Sequence, residues 1–572
     1  MYYPTMKTLR QQRVTVKAFP GLDRREQAEP GGFWEMENLC SDGYPALEVR
    51  KRRAVAATVE KPNGLLGKDT LLWVDGTALY VGGTKVTGLV LTDGEKQMVS
   101  MGTYGIVFPD GVYVNTQDLS DWGTLENRRQ AAGGVSVGLC DRDGGALGSF
   151  VTGTEAPEEA ENGTLWMDVS AAEPVLRQLS QQVWQAAENI CVKLTATGLG
   201  RGFQAGDGIT VEGLTEERLN GQTVLTAAGE DFIVFPGTVS GSTTQTEPVT
   251  AARLVPEMDF VVQSGNRLWG CKYGMVKGRA VNEIYASKLG DFRNWNCYQG
   301  LSTDSYAAVR GSDGVFTGAA SFLGNPIFFK EQCMERVYAA SNGGHQIVTV
   351  ECSGVRKGCH RSIQTVEGTL YYLSGSGVEA FDGSLPRVVS QPLGTKRYKD
   401  GVAGSREGKY YLSAVDETGE HSLLVYDTRR NLWHREDGTK AVGFADVEED
   451  LFCLTEEGQL LSMNGTSGTE EAAVCWEAVT GELGMETAEH KRLMRLMVYL
   501  SPEEGSRTTA EVSYDGGATW QEQTAFAEGS GRECVFLLRP HRCRTLRLRL
   551  SGRGGCRLVS LTAVYEKGSD GP

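Results

Sequence analysis

The chain has 572 residues, 73 of them glycine and only 17 proline, with 40% hydrophobic residues and a formal net charge of −16. That length exceeds what one hydrophobic core can organise and predicts about three or four domains. The excess of glycine over proline assigns the surplus to tight turns and excludes collagen-like or disordered repeats. The acidic balance excludes a protein that grips nucleic acid by neutralising phosphates, because basic residues gather only at Arg50–Arg53 (RKRR) and along Arg539–Arg553.

Residues 1–60 read as an N-terminal arm. It opens without the apolar core of a signal peptide, and no stretch of the chain approaches the roughly 18 apolar residues of a membrane span. Stable membrane insertion is therefore not expected, and synthesis in a cytoplasm is. Phe19-Pro20-Gly21-Leu22 and Gly31-Gly32-Phe33-Trp34 punctuate the arm, and Asn38–Arg53 contains an alternating strand. Such an arm either closes a ring of blades or reaches a neighbour. Residues 61–133 form a first propeller portion, with one four-stranded unit expected from Leu71–Val74, Ala78–Val81, Gln97–Met101 and Gly105–Phe108, followed by Val112–Asn115. Residues 134–256 read as an inserted β-rich domain. Within it Ser170–Asn189 predicts a helix: Ser170 and Glu173 fit a capping box, and Val175, Leu176, Leu179, Val183 and Trp184 fall on one helical face. Residues 257–470 are the main propeller portion, 471–567 a C-terminal β-sandwich with period-two strands, and 568–572 a tail.

A strand-turn-strand phrase carries the fold prediction. It recurs at Leu71–Gly82, Gly265–Gly274, Gly368–Gly383, Gly408–Asp427 and Asp450–Gly465. The chain holds twelve Asp-Gly and five Asn-Gly dipeptides, which suit two-residue turns whose centres need positive φ. Repeats at spacings of roughly 40–50 residues match the blade period of propellers, and the total predicts about six or seven blades. The fold class is mainly β: a β-propeller with an inserted small β-rich domain and a C-terminal β-sandwich.

Ser513–Trp520 (SYDGGATW) matches the Asp-box pattern. Ser513, Asp515 and Thr519 satisfy backbone groups, Gly517 takes a positive φ and Trp520 packs beneath, so its role is a structural turn. No nucleophile or phosphate-loop motif occurs, and no catalytic, cofactor or metal residue is assigned. The six histidines, His345, His360, His421, His434, His490 and His541, each sit alone in the sequence. The thirteen cysteines show no CxxC; Cys352, Cys359 and His360, with His345 nearby, are the closest grouping, and buried free thiols are the favoured reading. Trp269, Tyr285, Trp295, Tyr371, Tyr372, Tyr410, Tyr411, Tyr426 and Trp433 read as wedge-filling core before they read as a sugar-stacking groove.

The order of phrases Asn282–Trp295 (NEIYASKLGDFRNW), Leu370–Asp382 (LYYLSGSGVEAFD) and Leu424–Trp433 (LVYDTRRNLW), with the opening at Asn38–Arg50 and the close at Arg542–Asp570, resembles the β-propeller tail hub, nozzle or packaged-DNA stabilisation proteins of tailed bacteriophages and prophages of Firmicutes. The resemblance implies a virion tail protein without enzymatic activity or cofactor. It implies a homo-oligomeric ring, often a hexamer, beside portal, adaptor or other tail proteins. Genomic DNA would pass through it without specific binding, and contact with a host surface is open. The alternative reading is a receptor- or glycan-binding tail protein. A sialidase-like glycosidase stands behind both, since it needs two carboxylates facing a sugar ring.

Overall fold

The structure, a computed structural model, describes residues 11–26, 28–131, 133–340, 344–485, 489–526 and 533–567. The expected tail at 568–572 lies outside the described residues. The protein is mainly β. Among the described residues the helical elements are three single 3₁₀ turns, Glu217–Leu219, His360–Ser362 and Gln391–Leu393, and no helix is long and apolar enough to cross a membrane. The chain divides into two compact units, one of residues 1–96, 329–334 and 350–572, the other of residues 97–328 and 335–349.

The first unit holds three four-stranded antiparallel meanders and a five-stranded sheet. The meanders run through Pro62–Gly67, Leu71–Asp75, Ala78–Val81 and Thr84–Lys85; through Gln364–Val366, Thr369–Leu373, Val378–Phe381 and Arg387–Val388; and through Tyr398–Arg406, Lys409–Asp416, His421–Asp427 and Leu432–Arg435. In the five-stranded sheet, Ala54–Thr58 from the arm pairs with Gln459–Ser462 and Thr469–Glu470 beside Ala441–Val447 and Asp450–Thr455. First strands lie side by side from sheet to sheet: Pro62–Gly67 next to Ala441–Val447, that next to Tyr398–Arg406, and that next to Gln364–Val366. Apolar side chains fill the wedges between them, Val59, Trp73, Val447 and Phe452 in one and Val402, Leu423, Leu451 and Cys453 in another. Burial on both faces explains the unbroken apolar runs in Asp450–Thr455 and His421–Asp427. Large residues with a polar tip keep it satisfied: the Tyr410 hydroxyl donates to Ser362 O at 2.7 Å and the Trp433 indole N–H to Val389 O at 2.9 Å.

The turns differ from expectation in their chemistry. Left-handed two-residue turns fall on pairs that include Glu407-Gly408 (φ 52° and 79°), Lys277-Gly278 (φ 46° and 81°) and Glu367-Gly368 (φ 47° and 81°). In Asp75-Gly76 the aspartate is not a turn centre: it pairs with Ala78, and its carboxylate accepts the Lys61 N–H at 2.8 Å. The four strands expected as one unit at 71–108 belong to two different sheets.

The second unit contains the meander Gln97–Met101, Tyr104–Phe108, Val112–Asn115, Trp122–Thr124 and the meander Phe260–Ser264, Arg267–Val276, Arg279–Ala286, Tyr306–Val309. A further sheet orders Gly318–Phe322, Asn325–Phe329, Cys333–Ala339 and His345–Glu351, with its 329–334 turn grouped in the first unit. Between Asn127–Ala131 and Val249–Arg253, which pair antiparallel, lies the inserted segment. Its core joins Val135, Leu194, Ile209, Val211, Ile233 and Phe235 from two sheets.

The expected helix at Ser170–Asn189 is a β-hairpin. Val175–Ser180 pairs with Leu165–Asp168 on one side and with Val183–Ala186 on the other. Gln181 and Gln182 turn the chain with φ of 48° and 63°, and the supposed cap Ser170 donates instead to Asp168 Oδ1 at 2.6 Å. Trp184 packs edge-on against Trp166 at 5.4 Å. A neighbouring strand with unpaired backbone outcompeted a helical propensity that is only a weak prior.

The C-terminal region of the first unit is two antiparallel sheets that absorb the arm. Gln11–Val16 pairs with Cys556–Lys567, and Leu47–Val49 pairs with the same strand. Phe33–Glu37 extends the other sheet by pairing with Cys475–Thr480. The arm is thus built into the sheets on both sides of the described residues 471–567.

Candidate functional site

The edge strand Phe33–Glu37 positions the site. Its register with Cys475–Thr480 shifts between Phe33 and Glu35, so Trp34 is the extra residue of a β-bulge. A bulge re-aims a side chain and re-sets the alternation that follows. Trp34 accordingly forms a wall shared by two adjoining hollows. One, of about 610 Å³, is also lined by Arg25, Glu26, Glu29, Glu482 and Arg547. The other, of about 470 Å³, is lined by Arg24, Glu37, Lys396, Glu420, Arg435 and Glu477. A third hollow of about 470 Å³ shares Glu37 and Glu477 and continues past Trp476, Arg507 and Arg553. The three form one cleft within the first unit. The Arg547 guanidinium stands 5.5 Å from the Trp34 ring centre, and the Arg24 Nε–H donates to Trp34 O at 3.0 Å.

Past the bulge, Glu37 lies directly opposite Glu477. Like charges opposite each other on a sheet face cost stability, and two cations only partly offset this pair. Arg435 reaches Glu37 at 3.1 Å but is shared with Glu420 at 3.2 Å. Arg549 reaches Glu477 at 3.7 Å but is shared with Glu511 at 3.3 Å. Burial first, and then the carboxylates of Glu35, Glu37 and Glu511, push the Glu477 carboxyl above its ordinary range against the pull of Arg549. The cleft therefore holds two adjacent glutamates in unlike environments.

The Asp-box residues lie in the same C-terminal region. Ser513 Oγ is 2.7 Å from Asp515 Oδ1 and accepts the Gly517 N–H at 2.9 Å; Thr519 donates its N–H and hydroxyl to Asp515 at 2.9 and 2.6 Å. Gly517 has φ 101°. Those donated bonds hold the Asp515 carboxyl well below its ordinary range. The turn brings Trp520 to 4.0 Å from the Arg549 guanidinium, so it positions the cation that faces Glu477.

Other residues singled out in the sequence lie elsewhere. The aromatics Trp269, Trp295, Tyr372, Tyr410 and Trp433 are buried core. His345 packs edge-on against Trp269 and Tyr306. His360 faces Glu95 at 3.5 Å, and burial and Arg361 lower its pKa to about 4. The described cysteines are free thiols, ten of them buried. The side chain of His541 lies outside the described residues. The basic run at 50–53 is not a surface patch at its two ends: Arg53 pairs with Glu436 and Asp437 at 2.6 and 2.8 Å, and Arg50 pairs with Glu471. Trp34, Glu37 and Glu477 carry no sequence signal beyond the alternation of FWEME, because their meeting depends on a bulge and on register.

No family model and no curated protein matches the chain. Solved structures similar to it include an exo-β-1,3-galactanase from Phanerochaete chrysosporium (9% identity, TM-score 0.22, covering 53% of this chain and 95% of that one). Another is a glycoside hydrolase (13%, 0.20, 52% and 96%), and a third a Trypanosoma rangeli sialidase (9%, 0.20, 98% and 96%). On this finding the expectations of a genome conduit in a phage tail, and of a chain that is not an enzyme, are corrected. The cleft also carries an incompletely neutralised pair of glutamates, Glu37 and Glu477.

Proposed function

We propose that the protein binds a glycan in the cleft at Trp34, Glu37 and Glu477. The observation that carries the reading is the bulge, which turns a tryptophan out beside paired carboxylates and forked guanidinium groups. A sugar offers a C–H face for the indole and hydroxyls for carboxylates and arginines. Hollows of 470 and 610 Å³ fall in the size range of ligand sites. The test is a glycan array followed by titration calorimetry: a binder that loses affinity in Trp34→Ala supports the reading, and a cleft that takes no glycan ends it.

A second reading follows from Glu37 and Glu477, namely that the bound glycan is hydrolysed. Residues directly opposite on a sheet have Cβ atoms about 5 Å apart, and two carboxyls at about 5–10 Å can flank one glycosidic bond. Glu477, with its raised pKa, would protonate the leaving oxygen, while Glu37, paired with Arg435 at 3.1 Å, would face the ring from its other side. Release of chromophore from aryl glycosides, lost in Glu477→Gln, is the test.

For the fold, the proposal is that the meanders are propeller blades. Adjacent first strands and the closing of the last sheet by Ala54–Thr58 support it.

A further inference from the structure

A second group of polar side chains in the first unit lies apart from the Trp34 cleft. Leu39–Cys40 and Leu47–Val49 pair antiparallel with Cys40 opposite Glu48, so those two side chains share a face. Asp42 follows in the connecting turn, which is closed by the Tyr44 N–H to Ser41 O at 3.0 Å. One ligand atom from each of Cys40, Asp42 and Glu48 falls within 4.8 Å of the others. The Cys40 thiol is buried and donates to Asp42 Oδ2 at 3.5 Å.

His434 supplies the independent observation. It is 0% exposed, and neither ring nitrogen has a hydrogen-bond partner. Buried polar groups are nearly always paired, and an unpaired one asks for an explanation. The strand Leu432–Arg435 that carries it adjoins Leu39–Cys40, with the Asn38 N–H donating to Arg435 O at 3.1 Å. Asp42 of the cluster and Lys409 beside it both act electrostatically on the His434 ring. The cations already there are Lys409, paired with Asp42, and Arg557, whose charge acts on Glu48.

We infer that Cys40, Asp42 and Glu48, whose ligand atoms already lie together, form a binding site for a thiophilic divalent transition-metal ion, with zinc as its first candidate and the imidazole of the adjoining His434 drawn in as the fourth ligand. One thiolate, one imidazole and two carboxylates make a four-ligand set of the kind zinc accepts. On entry the ion takes the place of Lys409 at Asp42, and the Cys40 proton leaves to solvent. Binding therefore releases protons and strengthens as pH rises.

The experiment titrates inorganic zinc or cobalt into the full chain after dialysis against a chelator. Expected are one equivalent bound per chain, a raised thermal midpoint and, with cobalt, a thiolate-to-metal absorption band. Cys40→Ser removes the band, and His434→Asn weakens binding by about tenfold or more. Cys475→Ser, which alters an exposed thiol, keeps both. If Cys40→Ser does not fold, Glu48→Gln on the half-buried rim replaces it, with weaker binding and a shifted cobalt spectrum expected. The proposal is overturned by the lack of stoichiometric uptake. It is equally overturned by uptake that survives these substitutions, or by a band that Cys475→Ser abolishes.

Discussion

At residues 50–53 the arm sets two arginines against the carboxylates of Glu436, Asp437 and Glu471, whereas at Glu37 and Glu477 it sets two glutamates against each other. Both arrangements are made by arm residues meeting strands of the same unit. In the first, each charge finds an opposite: Arg53 Nη2 is 2.6 Å from Glu436 and Nη1 is 2.8 Å from Asp437, and its backbone N–H donates to Glu471 at 2.8 Å. That is the chemistry of a joint. In the second, like charges face each other at the side of a cleft, and the available cations are shared with Glu420 and Glu511. A sheet gains nothing in stability from such a pair, so its presence calls for a reason other than folding. The contrast separates charges that hold the arm in place from charges available to a ligand.

The largest effect should come from breaking the joint. Arg53→Met removes the nearest buried partner of Glu436 and Asp437, leaving them only Arg50 at 4.0 and 3.8 Å, and should cost up to about 3–5 kcal/mol, measured as a fall in the urea midpoint. Arg53→Met combined with Glu436→Gln should recover part of that loss. If the single substitution proves neutral, the arm is not held by this pair.

In the cleft the order reverses, with function falling while the fold stands. Glu477→Gln should lower glycoside hydrolysis by about 10²-fold or more, the usual contribution of a positioned acid. Its stability should stay level or rise by about 0.2–1 kcal/mol as the like-charge repulsion is relieved. A variant that loses stability would instead place Glu477 in the joint's class. Trp34→Ala removes one stacking surface worth about 0.5–1.5 kcal/mol and should weaken glycan binding by up to about tenfold, with the unfolding midpoint little changed.

The two regions also differ in how much of them the sequence reveals. The hairpins at Leu71–Asp75 and Ala78–Val81, or at Asp450–Thr455 and Gln459–Ser462, are legible because strands buried on both faces must be apolar throughout. The hairpin at 175–186 is not, since Leu176, Leu179, Val183 and Trp184 satisfy a helical period as well as a strand pair joined by Gln181-Gln182. The RKRR run announces charge but not its burial, which depends on Glu436, Asp437 and Glu471 arriving from far along the chain. The cleft is hidden most deeply: Trp34 owes its direction to a single extra residue in one strand, and Glu37 meets Glu477 only through register. Local pattern encodes the strand and its faces; which strands meet, and in what register, is settled by packing.

The finest separation of the two regions is their response to acid. Burial would raise the Asp437 and Glu471 carboxyls, but Arg53 holds the first and hydrogen bonds from Arg50 and the Arg53 N–H hold the second below their ordinary ranges. A depressed folded pKa gives stability that is present above the unfolded value, about 3.9 for aspartate and 4.3 for glutamate. It is lost as pH falls through the folded value. Glu477 has the opposite sign: its pKa is raised, so its contribution is complete below about pH 4.3 and is lost as pH rises through the folded value. Urea midpoints measured from pH 3 to 7 should therefore show the penalty of Asp437→Asn shrinking toward acid. The small gain of Glu477→Gln should also shrink toward acid, because protonated wild type no longer repels Glu37. At neutral pH the two variants should stand on opposite sides of wild type, and at pH 3 they should converge on it. A penalty for Asp437→Asn that is the same at both ends of the range would show that its charge does not support the joint. A Glu477→Gln gain that persists at pH 3 would trace the effect to packing and remove the electrostatic distinction between the two sites.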